Sequence, residues 1–149
     1  MPETLEFTLD QFTFRVALDR FYNPEGIWAK PEELGVRIGL SDFLQQRSGD
    51  VAFAEVLPAG TELKAGDEAA VIETIKVNIS LAAPLSGKIV AVNPAMDAAP
   101  EAINQDPYGT GWLAVIEAAD WESDRLHLLS PQAYFAKMKV EAEQEVKKG

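Results

Sequence analysis

No cysteine occurs among the 149 residues, which excludes a disulfide framework, a thiol nucleophile and a thiolate metal site. Histidine occurs once, as His127, so no histidine cluster can hold zinc. Its setting, Arg125-Leu126-His127-Leu128-Leu129, suits a structural or surface role better than catalysis. No stretch approaches the ~20 apolar residues of a membrane span. The first residues, Met1-Pro2-Glu3-Thr4, are acidic rather than basic and lack the apolar centre of a signal peptide. Positive charge is also scarce, with 13 Lys and Arg against 24 Asp and Glu, a net charge of -11. Such a surface repels polyanions, so neither nucleic acid nor an anionic membrane is expected as a partner. The bland reading of the acidity is solubility, and the functional one is a surface steered toward basic partner proteins. The expectation is a soluble, cytoplasmic protein.

The apolar fraction of 47% and the charged fraction of 25% allow a sizeable core, and the length suits one domain over residues 1–149. Leu5, Phe7 and Leu9, then Phe12, Phe14, Val16 and Leu18, alternate with period two. That predicts two strands meeting near Asp10-Gln11, or one long bent strand. Asn23-Pro24-Glu25-Gly26 is a turn, and Lys30 to Gly35, polar and containing Pro31, reads as a loop. After a strand over Val36 to Leu40, Ser41 is an N-cap for a short helix through Arg47, stopped at Gly49. Strands follow over Val51 to Leu57, Ala69 to Ile72, Val77 to Leu81 and Lys88 to Asn93, with Gly and Pro turns between them. Close repetition of strand and turn predicts a mostly β fold, a sandwich or barrel.

Asn93 to Gly111 is rich in proline and glycine and reads as a loop before a last strand at Trp112 to Glu117. Ser130-Pro131 starts a C-terminal helix over 131–147. Tyr134, Met138, Ala142 and Val146 fall on one face, with Phe135 beside it, and that stripe is expected to dock on the body of the protein. Lys147 and Lys148 fall where the helix dipole favours cations. Asp120, Glu122 and Asp124, around Trp121, read as a solvated turn rather than a catalytic acid pair.

One stretch resists this bland reading. In Glu73-Thr74-Ile75-Lys76-Val77 two apolar runs flank a glutamate and a lysine three positions apart. A hairpin turn normally has Gly or Asn at its centre, and this one has neither. A lysine at such an apex presents an ammonium on a flexible stem, a place for something to be attached. The blocks on either side are similar: Gly66-Asp67 and a strand before it, a strand and Ala83-Pro84-Leu85-Ser86-Gly87 after it. They suggest two strand pairs related by a rough two-fold with Lys76 at the far tip.

This arrangement resembles the lipoyl- and biotinyl-attachment domains. Glu73-Thr74-Ile75-Lys76-Val77 is similar to a lipoylation sequence, and biotin carriers typically have methionine beside the lysine, where Ile75 and Val77 stand here. The fuller likeness is to the H protein of the glycine cleavage system, from about Phe21 to Tyr134. It takes in Val36-Arg37-Ile38-Gly39-Leu40-Ser41-Asp42, Gly49-Asp50-Val51 and Asn104-Gln105-Asp106-Pro107-Tyr108-Gly109-Thr110-Gly111-Trp112. The last run is expected to be structural.

The resemblance implies a lipoyl-domain fold (barrel-sandwich hybrid) of two small antiparallel sheets with a short internal helix and a C-terminal helix. It implies lipoate covalently attached at Lys76, with Glu73 helping the lipoate-attaching enzyme to recognise the site. No catalytic residue and no metal site are expected. The chain would be a carrier whose swinging arm shuttles an intermediate. Its partners would be glycine decarboxylase, a folate-dependent aminomethyltransferase and dihydrolipoamide dehydrogenase.

Two departures bear on those partners. Glu25-Gly26-Ile27-Trp28 keeps the tryptophan of the family's His-Glu-x-Trp stretch but lacks the histidine, and residues 1–20 extend beyond the usual start. An H-like lipoate-binding protein of sulfur oxidation, working with heterodisulfide-reductase-like subunits, is the alternative within the class. An unmodified interaction module is the alternative outside it.

Overall fold

The structure, a computed structural model, describes residues 2–148, with side chains through Val146. The chain opens with a hairpin of two strands, β1 (Thr4–Leu9) and β2 (Phe12–Ala17). They turn at Asp10, whose φ of 57° is the left-handed conformation that an aspartate tolerates. Next come β3 (Phe21–Tyr22), β4 (Ile27–Glu32), β5 (Gly35–Leu40) and helix α1 (Asp42–Ser48). Strands β6 (Val51–Val56), β7 (Glu62–Leu63), β8 (Glu68–Thr74), β9 (Asn78–Ala82) and β10 (Gly87–Val92) form the centre. Two short helices, α2 (Ala95–Ala98) and α3 (Ala102–Gln105), lead into β11 (Ala114–Ala118). The chain continues with α4 (Trp121–Asp124), a 3-10 turn (Arg125–His127) and the long helix α5 (Pro131–Lys148).

The fold is mostly β, with antiparallel pairing throughout. One sheet has the order β3-β4-β5-β11-β10-β7 and the other β6-β8-β9. Their facing sides supply one apolar core, with Ile38, Ile72, Leu85, Ile89 and Ile116 fully buried. The expected pair of antiparallel sheets with an internal and a C-terminal helix is therefore present, and the hairpin β1-β2 adds a third sheet of two strands.

Two segments differ from the sequence reading. Lys30 to Gly35 is not a loop, because β4 runs through Pro31 to Glu32 and only Glu33 and Leu34 turn the chain into β5. The short partner β3 pairs only with Trp28 and Ala29, so Pro31 lies where one side of the strand has no neighbour. A missing N–H is tolerated there. Asn93 to Gly111 is not all loop either. Each of its two helices is anchored by a single buried side chain, Met96 in α2 and Ile103 in α3.

A second core joins the two ends of the chain. Phe14 and Val16 of β2, Phe43 of α1, and Tyr134, Met138 and Ala142 of α5 pack together with Tyr22 and Trp28. The stripe on α5 thus docks within the chain, on the hairpin and β3, but Val146 at its end is 43% exposed. The side chains of Lys147 and Lys148 lie outside the described residues. Trp28 is fully buried; its indole N–H reaches Leu40 O at 2.9 Å and Pro107 O at 3.0 Å. A Cβ on Gly39 would sit 2.5 Å from the Trp28 ring, so this strand position has room only for glycine.

Ser41 links the two cores. Its Oγ caps α1 by accepting the Leu44 N–H at 3.2 Å and lies 2.8 Å from the buried Tyr134 hydroxyl. Ser41→Ala should cost about 2–4 kcal/mol, from the lost cap and a stranded buried hydroxyl. Adding Tyr134→Phe should recover part of that loss, so chemical denaturation of the three variants should reveal non-additivity.

Burial raises the pKa of all three tyrosines, Tyr108 to about 12 and Tyr22 and Tyr134 further. The folded state therefore keeps phenol protons that the unfolded chain releases near pH 10. Their stabilisation is complete below pH 10 and falls as pH rises above it. Titration followed at 295 nm should show little phenolate at pH 10, then a rise that coincides with loss of the fold.

Candidate functional site

The lysine singled out in the sequence stands at the end of the three-stranded sheet. Strands β8 and β9 pair up to Glu73↔Asn78, and Ile75, Lys76 and Val77 span the gap between Thr74 and Asn78. All three tip residues are exposed, Ile75 by 78%. Among the described residues Asp10 is the one non-glycine with positive φ, so the tip turns without any left-handed residue.

Thr74 explains how. Its backbone N–H donates to Val77 O at 2.8 Å. Its side-chain oxygen accepts the N–H of Lys76 at 3.2 Å and of Val77 at 3.0 Å. The hydroxyl itself donates to Ser48 O at 2.7 Å. A threonine side chain thus satisfies the backbone groups that a Gly or Asn turn would satisfy by conformation. The sequence places Thr74 in the motif but carries no sign of this role, because Ser48 is 26 residues away.

The segment that receives Thr74 is itself strapped down. Ile75 N–H donates to Asp50 O at 3.3 Å. The Asn104 side chain donates to Gly49 O and Gln45 Oε1, both at 3.0 Å, and accepts the Val51 N–H at 2.9 Å. Gly49 ends α1 with φ 92°. A Cβ there would meet the Lys76 stem, with Cδ at 3.5 Å and Cγ at 3.6 Å. The stem therefore lies along the bare backbone at the end of α1.

Beyond the stem, the Lys76 ammonium is in no ion pair among the described residues. Glu73 is exposed and occupies the last position of β8 that pairs with β9, opposite Asn78 on that side and Phe53 of β6 on the other. Both side chains face solvent.

The other polar residues considered from the sequence lie elsewhere. Asp120 caps α4 by accepting the Ser123 N–H, Glu122 pairs with Arg125 at 2.8 Å, and Asp124 accepts the Ser86 N–H at 2.8 Å. They are turn-forming acids, as expected. His127 is exposed on the 3-10 turn. Among the described residues no three His, Asp or Glu side chains gather as a metal site, and no helix is long and apolar enough to cross a membrane. The run from Asn104 to Trp112 is structural: Asp106 accepts the Thr110 N–H at 2.9 Å, Tyr108 donates to Arg15 O at 2.7 Å, and Arg37 stacks over Trp112.

Comparison with known proteins agrees with this framework. The family model described as glycine cleavage H-protein matches residues 20–141. A probable glycine cleavage system H protein of Natronomonas pharaonis is 41% identical over 128 residues, covering 85% of this chain and 98% of the relative. The glycine cleavage system H protein of Oceanobacillus iheyensis is 40% identical over 118 residues, covering 79% and 93%. The crystal structure of a glycine cleavage system H protein from Mycobacterium marinum superposes with a TM-score of 0.74 at 29% identity, covering 82% of this chain and 98% of that one. With a match of this extent over the two larger sheets, the tip and the Asn104–Trp112 run, the chain belongs to the glycine cleavage H-protein family.

Proposed function

We propose that the chain is a lipoyl-lysine carrier, modified at Lys76, that serves the glycine cleavage system. The observation that carries this reading is the tip: an exposed lysine held on a three-residue turn, in a chain of the H-protein family. Amide formation at Nζ removes the positive charge of the lysine. Because Lys76 holds no counter-charge among the described residues, that neutralisation breaks no ion pair. Glu73 lies on the same exposed end, where an attaching enzyme meets both side chains together.

When bound, the dithiolane supplies the redox and group-carrying chemistry. The protein's own residues hold the attachment point and exclude competing reactions. Thr74 fixes the turn, Gly49 gives the stem a bare surface to lie on, and the lack of cysteine leaves no internal thiol to trap the arm by exchange. A net charge of -11 suits docking on basic partner surfaces. The partners proposed are glycine decarboxylase, the folate-dependent aminomethyltransferase and dihydrolipoamide dehydrogenase, besides the lipoate-attaching enzyme.

Protein produced with lipoate available should gain the mass of one lipoyl group, and Lys76→Arg should abolish the gain. Unmodified wild-type protein would favour a bare interaction module. The modified protein should then support glycine-dependent decarboxylation by purified glycine decarboxylase. Failure there, with turnover by heterodisulfide-reductase-like subunits instead, would move the chain to sulfur transfer.

Thr74→Val removes three side-chain hydrogen bonds at the tip and should cost about 1–3 kcal/mol. Its lipoylation, followed as a time course by intact mass, should be several-fold slower than wild type. Thr74→Ser should restore the rate.

A further inference from the structure

The hairpin β1-β2 has two outer edges, and only one of them is closed. Leu9↔Phe12 ends the ladder at the turn, and past its other end the Leu18 N–H donates to Glu3 O at 2.9 Å. Bonded pairs alternate along an antiparallel ladder. Leu5, Phe7 and Leu9 therefore bond to β2, and Thr4, Glu6 and Thr8 turn their backbone groups outward. On the β2 side the outward groups are taken by side chains. Thr13 O accepts from the Gln46 amide, the Arg15 N–H donates to Asp42, Arg15 O accepts the Tyr108 hydroxyl, and Ala17 O accepts the Tyr22 hydroxyl. On the β1 side, among the described residues, no group outside the hairpin reaches the N–H and C=O of Thr4, Glu6 or Thr8.

Native sheet edges are blunted by lysine, proline, a bulge or a covering segment. β1 has neither lysine nor proline, and its register with β2 is regular. Its polar side chains turn back on the hairpin: Glu6 pairs with Arg15 at 3.1 Å, and Thr8 Oγ1 lies 3.0 Å from Thr13 Oγ1. On the opposite face Leu5, Phe7 and Leu9 pack on the aromatic core but stay only half-buried, so covering the remainder is favourable. The hairpin lies before the residues matched by the family model, 20–141, which makes this edge an addition to the shared framework.

The sequence of the strand says what fits there. Leu5-Glu6-Phe7-Thr8-Leu9 is close to palindromic about Phe7. Laid antiparallel on itself with a two-fold at Phe7, it sets Leu5 opposite Leu9, Phe7 opposite Phe7, and Glu6 opposite Thr8. Apolar side chains meet apolar ones, no like charges stand directly opposite, and the outward groups of Glu6 and Thr8 bond as pairs.

We propose that the β1 edge pairs with the same edge of a second copy of this chain, giving one four-stranded antiparallel sheet across an isologous dimer. The strand is short, so the interface belongs to the weak class, below about 1,200 Å², and forms reversibly. Phe12, beside the hairpin turn, lines a cavity together with Lys76, so the turn lies at the end of the molecule that bears the lysine. In an antiparallel pair the two turns point apart. The dimer thus carries its two Lys76 tips at opposite ends, both clear of the interface.

Sedimentation velocity of the full-length chain, from micromolar to millimolar concentration, tests the pairing. Wild type should pass reversibly from monomer to dimer. Added salt should tighten the dimer, because a net charge of -11 on each copy opposes association. Thr8→Lys sets a cation opposite Glu6 at two symmetric places and should tighten association about threefold to tenfold, and Thr8→Glu should weaken it by about as much. Thr8→Pro removes an N–H that faces away from β2, a position where the hairpin tolerates proline, and should abolish the dimer while near-ultraviolet circular dichroism stays unchanged. Glu33→Gln, the same change of charge on the β4–β5 turn, should alter association by less than about twofold. A chain that stays monomeric at millimolar concentration would overturn the proposal and leave the edge to a strand of another protein. A dimer that responds alike to Thr8→Lys and Thr8→Glu would overturn it too, by placing the contact on another face.

Discussion

The bond from the Thr74 hydroxyl to Ser48 O, 2.7 Å long, ties together two segments just past the end of the β6–β8 ladder at Val51↔Thr74. On one side is the tip between β8 and β9, and on the other the end of α1. A hairpin apex of this length would otherwise fray, since its N–H groups have no strand partner. Thr74 accepts two of them and donates its own hydroxyl hydrogen bond to the helix end. The helix end in turn is fixed by Asn104, which reaches Gly49 O and the Val51 N–H from the far side of the chain. The position of Lys76 therefore depends on a relay running from the α3 turn through residues 48–51 to the tip. Every link in it is a short polar side chain bonded to backbone, and such links leave little rotamer freedom.

The two cores divide the work of the molecule. The core between the sheets, with residues such as Ile72 and Ile116, sets the register that aims β8 and β9 outward. The aromatic core, with Tyr22 stacked on Tyr134 at 4.5 Å, gathers the N-terminal hairpin and α5 around α1. Ser41 belongs to both. Trp28 belongs wholly to the second and is buried, so it cannot itself meet a partner. Of the divergent residues Glu25, Gly26 and Ile27, Glu25 alone is exposed.

Much of the fold is legible in the residues because the signals are local. Alternation gave the strands on either side of Asp10, and Ser41 and Gly49 marked the ends of α1 correctly. What could not be read depends on contacts distant in sequence. Pro31 reads as a strand breaker until the short reach of β3 is known. The helices after Pro94 and near Pro100 each have one buried side chain, too few for a periodic pattern. Lys76 and Glu73 stand out by composition and by resemblance. Thr74 and Asn104 do not, because Ser48 and Gly49 meet them only after folding.

The central claim is that the fold offers one lysine, Lys76, as the attachment point. Fragmentation mass spectrometry of the lipoylated protein tests it directly, because Lys64, Lys88 and the lysines of α5 compete as acceptors. The account predicts that the added mass lies on Lys76 alone. Mass found on the other lysines, or an unmodified Lys76 in protein that carries the group, would contradict it.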